Sequence, residues 1–310
     1  MNFRHRQWTL SHVWLGFVLL AVGLLPAADA ISAENAKPET LEQFESFLKA
    51  SLEKKSVDET GVRAFYEHAF SFWIDQKQAY WQYPDRYKTL LPLYYQAQTI
   101  YQDATANDIE RFKDSIELFQ RFDARNTLPS RPVLFVGSSS IVFWETATAF
   151  PNYPVINRGF GGASLTEVNH YYYQVVKKYN PAVVIVYCDI DVEMRKPPEV
   201  ALGYFKEFSA KVTKDFPAAQ IIFLSMKPTL MDDFLGQDVA KNKVIANRLF
   251  KAFAENEQNI HFVDVATPML QPDGRVKPNI FRDDGMHLNA KGYDIWNPII
   301  RRYLASTYEK

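Results

Sequence analysis

The sequence predicts an α/β protein, a three-layer sandwich around a central, mostly parallel five-stranded sheet, with a helical extension in front of it. Two observations predict this. Five short apolar runs, PVLFV (132–136), PVINR (154–158), AVVIVYC (182–188), QIIFLS (220–225) and IHFVDV (260–265), recur along the chain. Longer stretches with apolar residues at helical spacing lie between them: SLTEVNHYYYQVVKKY (164–179), EVALGYFKEFSAKVTKDF (199–216) and DVAKNKVIANRLFKAFAENE (238–257). The runs are continuously apolar rather than alternating, which marks strands buried on both faces. Strands that alternate with helices pair in parallel.

The elements follow in order. Residues 1–30 read as a secretory signal peptide: Arg4 and Arg6, then LGFVLLAVGLL, then Ala28-Asp29-Ala30 as a cleavage site. The apolar run is shorter than the ~20 residues a membrane span needs. No cysteine follows it, so a lipoprotein anchor is excluded. The expected location is therefore periplasmic or secreted, with no integral membrane domain once the signal is removed.

Residues 31–107 read as a helical, aromatic-rich extension. Leu41, Phe44, Phe47, Leu48 and Leu52 share one helical face. From Val62 to Tyr101 the chain carries Phe65, Phe70, Trp73, Trp81, Tyr87, Tyr94 and Tyr101, with Pro84 and Pro92 dividing it into several helices. These aromatics read as helix packing rather than as a surface that stacks on sugars, because their spacing is that of a core. Residues 108–310 form the α/β domain. It opens on a helix with Ile109, Phe112, Ile116 and Phe119 on one face and Asn107 and Glu110 as its cap.

Composition removes several functions. The formal net charge of −1, with both signs well mixed, offers nothing to a phosphate backbone, so a nucleic-acid partner is not expected. Cys188 is the only cysteine, so neither an internal disulfide nor a cysteine zinc cage can form. It ends an apolar run and reads as a buried structural thiol.

In an open parallel sheet, sites form beyond the carboxyl ends of the strands. The first run ends in Gly137, Ser138, Ser139 and Ser140. The second ends in Asn157, Arg158, Gly159, Gly161 and Gly162. Asp189 and Asp191 follow the third, and Asp284 and His287 lie beyond the last, in RDDGMHLNAKGY (282–293). Each motif alone is weak. GSSS is a common turn or helix cap, and GFGG lacks both the GxGxxG form and the lysine of a phosphate loop. A metal at Asp283, Asp284 and His287 lacks further histidines. In this order along the sheet, however, they supply a nucleophile, backbone donors, and a base with an orienting carboxylate.

From about Asp108 onward the chain resembles the SGNH, or GDSL-type, esterase/lipase (acylhydrolase) family, in the bacterial branch that reads GSSSI..W where others read GDSL. VLFVGSSSIVFW resembles its first block, INRGFGGASL its second and FRDDGMHLNAKGYDIW its last. FLSMKPT and VDVATPMLQPDGR also resemble this branch. The resemblance implies the flavodoxin-like SGNH hydrolase fold. It implies Ser139 as nucleophile, His287 as base and Asp284 as its acid, with Ser139 and Gly162 as oxyanion donors and no cofactor or metal. The third block departs from the pattern. The family reads Gly-x-Asn-Asp, and YCDIDV puts Asp189 at the Gly and Asp191 at the oxyanion Asn. An ionised carboxylate cannot donate. Asp191 must therefore either carry a proton, held by burial and the nearby Asp189, or lie outside the hole.

The function the resemblance implies is an exported serine esterase that removes O-acetyl or other short acyl groups from a carbohydrate or small ester. The alternatives are a non-hydrolytic binding or cell-envelope assembly protein on the same scaffold, or an acyl transferase.

Overall fold

A computed structural model of the chain describes residues 37–54, 57–101 and 109–308. The signal-peptide segment and the Asn107 cap lie outside the described residues. The chain divides into two compact units after Arg111.

The first unit contains α1 (Leu41–Leu52), α2 (Glu59–Gln82), a 3-10 turn (Pro84–Tyr87) and α3 (Leu90–Ile100). Thr40 opens α1 through a capping box with Gln43, and the Asp58 carboxylate accepts from Gly61 N at the start of α2. Both prolines sit where a helix begins and no backbone donor is lost: Pro84 opens the 3-10 turn, and Pro92 lies in the first turn of α3. Phe44, Phe65, Phe72, Trp73, Tyr87 and Tyr94 are buried. Phe44 stacks on Phe72 at 3.9 Å and Phe65 on Tyr101 at 4.1 Å, while Trp73 meets Phe44 edge-on. The crowded aromatics are the core of this unit, as their spacing implies.

The boundary falls within a 3-10 turn (Ile109–Phe112), and the second unit runs from its last residue into α4 (Lys113–Asp123). Then come β1 (Val133–Gly137), α5 (Ser139–Val142), α6 (Thr146–Ala149), β2 (Val155–Gly159), α7 (Leu165–His170), α8 (Tyr172–Val175) and β3 (Val183–Tyr187). They are followed by α9 (Ile190–Glu193), α10 (Pro198–Asp215), β4 (Gln220–Leu224), α11 (Asp232–Leu235), α12 (Val239–Ala254), β5 (Ile260–Val263) and α13 (Ala290–Thr307). The five strands form one sheet in the order β2-β1-β3-β4-β5, and every pairing is parallel. Each residue of β1 and of β3 is buried, so the middle of the sheet is covered on both faces. The winding reverses where β1 lies between β2 and β3. A crevice therefore opens beyond the carboxyl ends of β1 and β3.

One expected helix is broken. Residues 164–179 form α7, α8 and a 3-10 turn at Lys177–Tyr179 rather than one continuous helix. Asn169, His170 and three consecutive tyrosines are weak helix formers, and Asn180 then leaves in the left-handed region at φ 47°.

Gly137 ends β1 at φ 134°, and a Cβ there would lie 1.8 Å from the Tyr187 carbonyl oxygen on β3. Only a residue without a side chain lets these two strand ends meet. Gly137→Ala is expected to destabilise the unit by about 3 kcal/mol or more, from combined strain and overlap. A urea midpoint equal to that of the parent protein would contradict this.

Candidate active site

The first site element grows directly out of β1. Ser138 N donates to Tyr187 O at 3.0 Å, one step past the strand, and Ser139 then begins α5. α5 is a single turn and does not hold itself. It is clamped from outside: Asn157 Nδ2 donates to Ile141 O at 2.7 Å, and Tyr293 OH donates to Ser140 O at 2.8 Å. Three hydroxyls are adjacent, and the structure distinguishes them. Ser139 Oγ lies 2.9 Å from His287 Nε2. The hydroxyls of Ser138 and Ser140 are buried without a hydrogen-bond partner.

The second element is the loop before α13. Asp284 Oδ1 accepts from Met286 N and His287 N, both at 2.8 Å, and Oδ2 lies 3.1 Å from His287 Nδ1. Gly285 makes the turn between them at φ 72°. With Nδ1 facing a carboxylate, its proton sits there, and Nε2 is left as the acceptor toward Ser139. Burial pushes the imidazole well below its ordinary value, helped by the charges of Lys227 and Arg282 and opposed by Asp189. The resting base is therefore neutral. Burial also raises Asp284 above the usual carboxylate value, against the pull of the two backbone N–H groups. The structure thus brings Ser139, His287 and Asp284 into one hydrogen-bonded line.

The glycine-rich loop is tied to the same edge. Phe160 N donates to Gly137 O at 2.9 Å, and Ala163 N closes a turn on Phe160 O. Gly162, between them, is buried and takes φ 81°. Ser164 then caps α7 in a capping box with Glu167. The other polar residues after β2 serve the scaffold. Asn157 clamps α5. Arg158 is ion-paired to Asp123, donates to the Tyr179 hydroxyl, and lies against the rings of Phe119, Phe122 and Tyr179.

The expected role of Asp191 needs correction. Its Oδ2 accepts from Leu165 N at 2.9 Å and its Oδ1 accepts from Lys196 Nζ at 2.8 Å. Both oxygens are engaged as acceptors by the scaffold, so the side chain is not placed to donate to an oxyanion. It acts instead as a tie between the start of α7, just after the glycine-rich loop, and α9.

Asp189 is turned to a different use. It is buried, accepts from the Tyr187 hydroxyl, and pairs with Lys227 Nζ at 3.0 Å. Lys243, also buried, pairs with Glu193 at 2.7 Å and Asp232 at 2.8 Å. Three carboxylates thus share two ammoniums. Burial opposes charge on Asp189, but Lys227 and Lys243 outweigh it and hold the group down at about 2. Burial and the neighbouring Asp189 push Glu193 up to about 7, against the pull of Lys243 and Lys227.

Three residues at the site have no role assigned from the sequence, although each lies in a block that resembles the family: Lys227 in FLSMKPT, Phe143 in VLFVGSSSIVFW and Arg282 in FRDDGMHLNAKGYDIW. Lys227 follows β4, in a loop bonded to the histidine loop through Leu230 N and Gly285 O at 2.9 Å. Its position just past a strand end, within FLSMKPT, is the signal that could have found it. Phe143 meets the His287 ring edge-on at 4.7 Å, and the Arg282 guanidinium lies 4.1 Å over Phe143. Among the described residues no three His, Cys, Asp or Glu side chains gather as a metal site. No described helix is long and apolar enough to cross a membrane.

Comparison with known proteins bears on the family and the fold. Residues 142–295 match the GDSL-like lipase/acylhydrolase family. No curated protein matches the chain. Among solved structures, a GDSL-like lipase from Bacteroides thetaiotaomicron is 19% identical, with a TM-score of 0.50, covering 64% of this chain and 98% of its own. A candidate acylhydrolase from Bacteroides fragilis is 20% identical, with a TM-score of 0.53, covering 64% and 97%. A candidate platelet activating factor protein from Streptococcus pneumonia is 18% identical, with a TM-score of 0.56, covering 62% and 92%. At these identities the likeness is one of fold. With the family match beside it, the α/β unit of this chain belongs to the GDSL-like lipase/acylhydrolase family.

Proposed function

We propose that the protein is an exported serine esterase that removes O-acetyl or other short acyl groups from a carbohydrate or small ester. The observation that supports it is the line Ser139 Oγ, His287 Nε2, His287 Nδ1, Asp284 Oδ2, with contacts of 2.9 and 3.1 Å. Ser139 Oγ bonds to the ester carbonyl carbon while His287 Nε2 takes its proton. Asp284 keeps the imidazole in the required tautomer and offsets the charge it gains. The carbonyl electrons move onto oxygen, where the backbone N–H groups of Ser139 and Gly162 receive them. The C–O bond to the alcohol then breaks, and the alcohol leaves with the proton from His287. Water repeats the sequence on the acyl-serine and releases the acid.

With Asp191 engaged elsewhere, the hole has two backbone donors and lacks the side-chain amide of the family pattern. That loss favours a second reading, in which attack by water is slow and the acyl group passes to another alcohol, or the site only binds its ligand. An added alcohol that diverts acyl product from acid to ester distinguishes transfer from hydrolysis.

The purified protein is expected to turn over p-nitrophenyl acetate, and Ser139→Ala to lose at least ~10³-fold in kcat/KM while staying folded. Because His287 is held below the ordinary imidazole value of 6.5, kcat/KM should stay level as pH falls through 6.5 and decline only in more acidic solution. An acid limb at or above pH 7 would contradict this. Asp191→Asn is expected to bring no gain in rate. An increase of ~10²-fold, the worth of one oxyanion donor, would put residue 191 in the hole after all. The apolar segment at Leu15–Leu25 supports export. Mass spectrometry of the mature protein should find an N-terminus near residue 31, and an intact Met1 on the exported form would refute cleavage.

A further inference from the structure

Arg282 is an unexplained cation at the catalytic histidine. It lies two residues before Asp284 in the loop that supplies both Asp284 and His287. Its guanidinium rests on the Phe143 ring, and Phe143 in turn presses edge-on against His287. Arginine beside a carboxylate-rich loop ordinarily forms an ion pair. Here Nε donates to Leu288 O at 3.3 Å, and among the described residues no carboxylate forms an ion pair with it, although Asp283 and Asp284 follow in the same loop and its charge acts on Asp284 through space. The two Nη groups have no hydrogen-bond partner in the protein and are not among the buried unsatisfied atoms, so they face solvent. The residue itself is half-buried. Its stem and one face are therefore fixed by packing while the donor fork stays open. A fork of that kind matches a planar carboxylate with two parallel N–H···O bonds.

The surroundings favour an anion. Phe143 Cα is four residues along from Ser139, so the guanidinium stands on the wall of the nucleophile's own turn. Lys227 adds a second positive charge that is felt at the imidazole. Lys227 and Arg282 both place positive charge near the base, opposed by Asp189 and by the Asp284 carboxylate on Nδ1. Lys227 is paired to Asp189, which leaves the open Arg282 fork as the cation an anionic substrate can meet.

We propose that Arg282, seated on Phe143, forms an anion subsite beside Ser139 that selects esters carrying a carboxylate close to the scissile bond. The proposal rests on the esterase reading and names its substrate class. The carboxylate enters on the acyl side, as in a half-ester of a dicarboxylic acid, or on the alcohol side, as in an acetylated hydroxy acid or acidic sugar. Both present the same group to the same fork.

The test pairs each anionic ester with its neutral counterpart. Monomethyl succinate against dimethyl succinate probes the acyl side, and 4-acetoxybenzoate against its methyl ester probes the alcohol side. A charge-assisted hydrogen-bonded pair of this type corresponds to about tenfold to a hundredfold. For at least one pair the anionic ester should therefore be favoured in kcat/KM by that factor, chiefly through KM. Arg282→Gln should bring the ratio to about one, and Arg282→Lys should keep part of it. The preference should also shrink as salt is raised. The pair that shows the effect identifies the side on which the carboxylate sits.

Titration calorimetry on the Ser139→Ala protein gives a readout that does not need turnover. It should bind 4-acetoxybenzoate or monomethyl succinate more tightly than the neutral ester, and the added Arg282→Gln change should abolish the difference. No hydrolysis of any ester by the parent protein, with this binding preference intact, defeats the esterase reading and leaves the subsite standing. Hydrolysis of neutral esters with no anionic preference, or a preference that Arg282→Gln does not alter, overturns the subsite.

Discussion

The site depends on one close approach. Gly137 passes the Tyr187 carbonyl at a distance no side chain could share, and that lets β1 continue its ladder for one more bond, through Ser138 N. The chain can then turn at once from strand to helix, so the Ser139 hydroxyl stands directly over the sheet edge. The same glycine accepts from Phe160 N through its own carbonyl, which fixes the glycine-rich loop alongside. One residue without a Cβ thus sets the position of the nucleophile and of the loop that serves it. The histidine arrives from 148 positions further along and has only to meet a point already fixed.

Charge at the sheet edge is arranged around the same point. A buried ion pair costs much of its Coulomb gain in desolvation, and removing one partner leaves the other stranded. Asp189, Lys227, Lys243, Glu193 and Asp232 meet this cost collectively, each with at least one partner. Lys227 and Asp189 pair within the cluster and both also act through space on His287, with opposite signs. The cluster therefore anchors the loop beyond β4 and also sets the field at the base.

Much of this was legible in the sequence, for local reasons. The five strands lie where the continuous apolar runs lie, because strands covered on both faces need no polar alternation. The Asp284–His287 spacing works because both groups come from one short loop, whose backbone N–H groups already bind the carboxylate. Ser139 could be chosen among three serines because the strand-to-helix turn exposes one of them. What sequence could not supply were pairings between distant elements. Asp191 stands where the family carries an amide, and nothing nearby in sequence says that Leu165 N will claim one of its oxygens. Arg282 and Phe143 meet only because the last loop closes over the helix that begins at Ser139. The breaks at residues 171 and 176 show the converse: an apolar pattern of helical period was present, but a run of weak helix formers from Asn169 to Tyr173 did not hold one continuous helix.

The lone cysteine has a consequence for chemistry between molecules. Cys188 is buried at the end of β3, its Sγ facing the Ala163 carbonyl at 3.7 Å, and burial, with Asp191 and Asp189 next in effect, pushes its thiol well up. Thiol–disulfide exchange proceeds through the thiolate, and it needs access as well. A single reactive cysteine would make two copies of a chain in oxidising surroundings link covalently, since neither has an internal partner to consume the thiol. Here the thiolate is suppressed and the sulfur is shielded, so the folded protein offers no site for mixed disulfides.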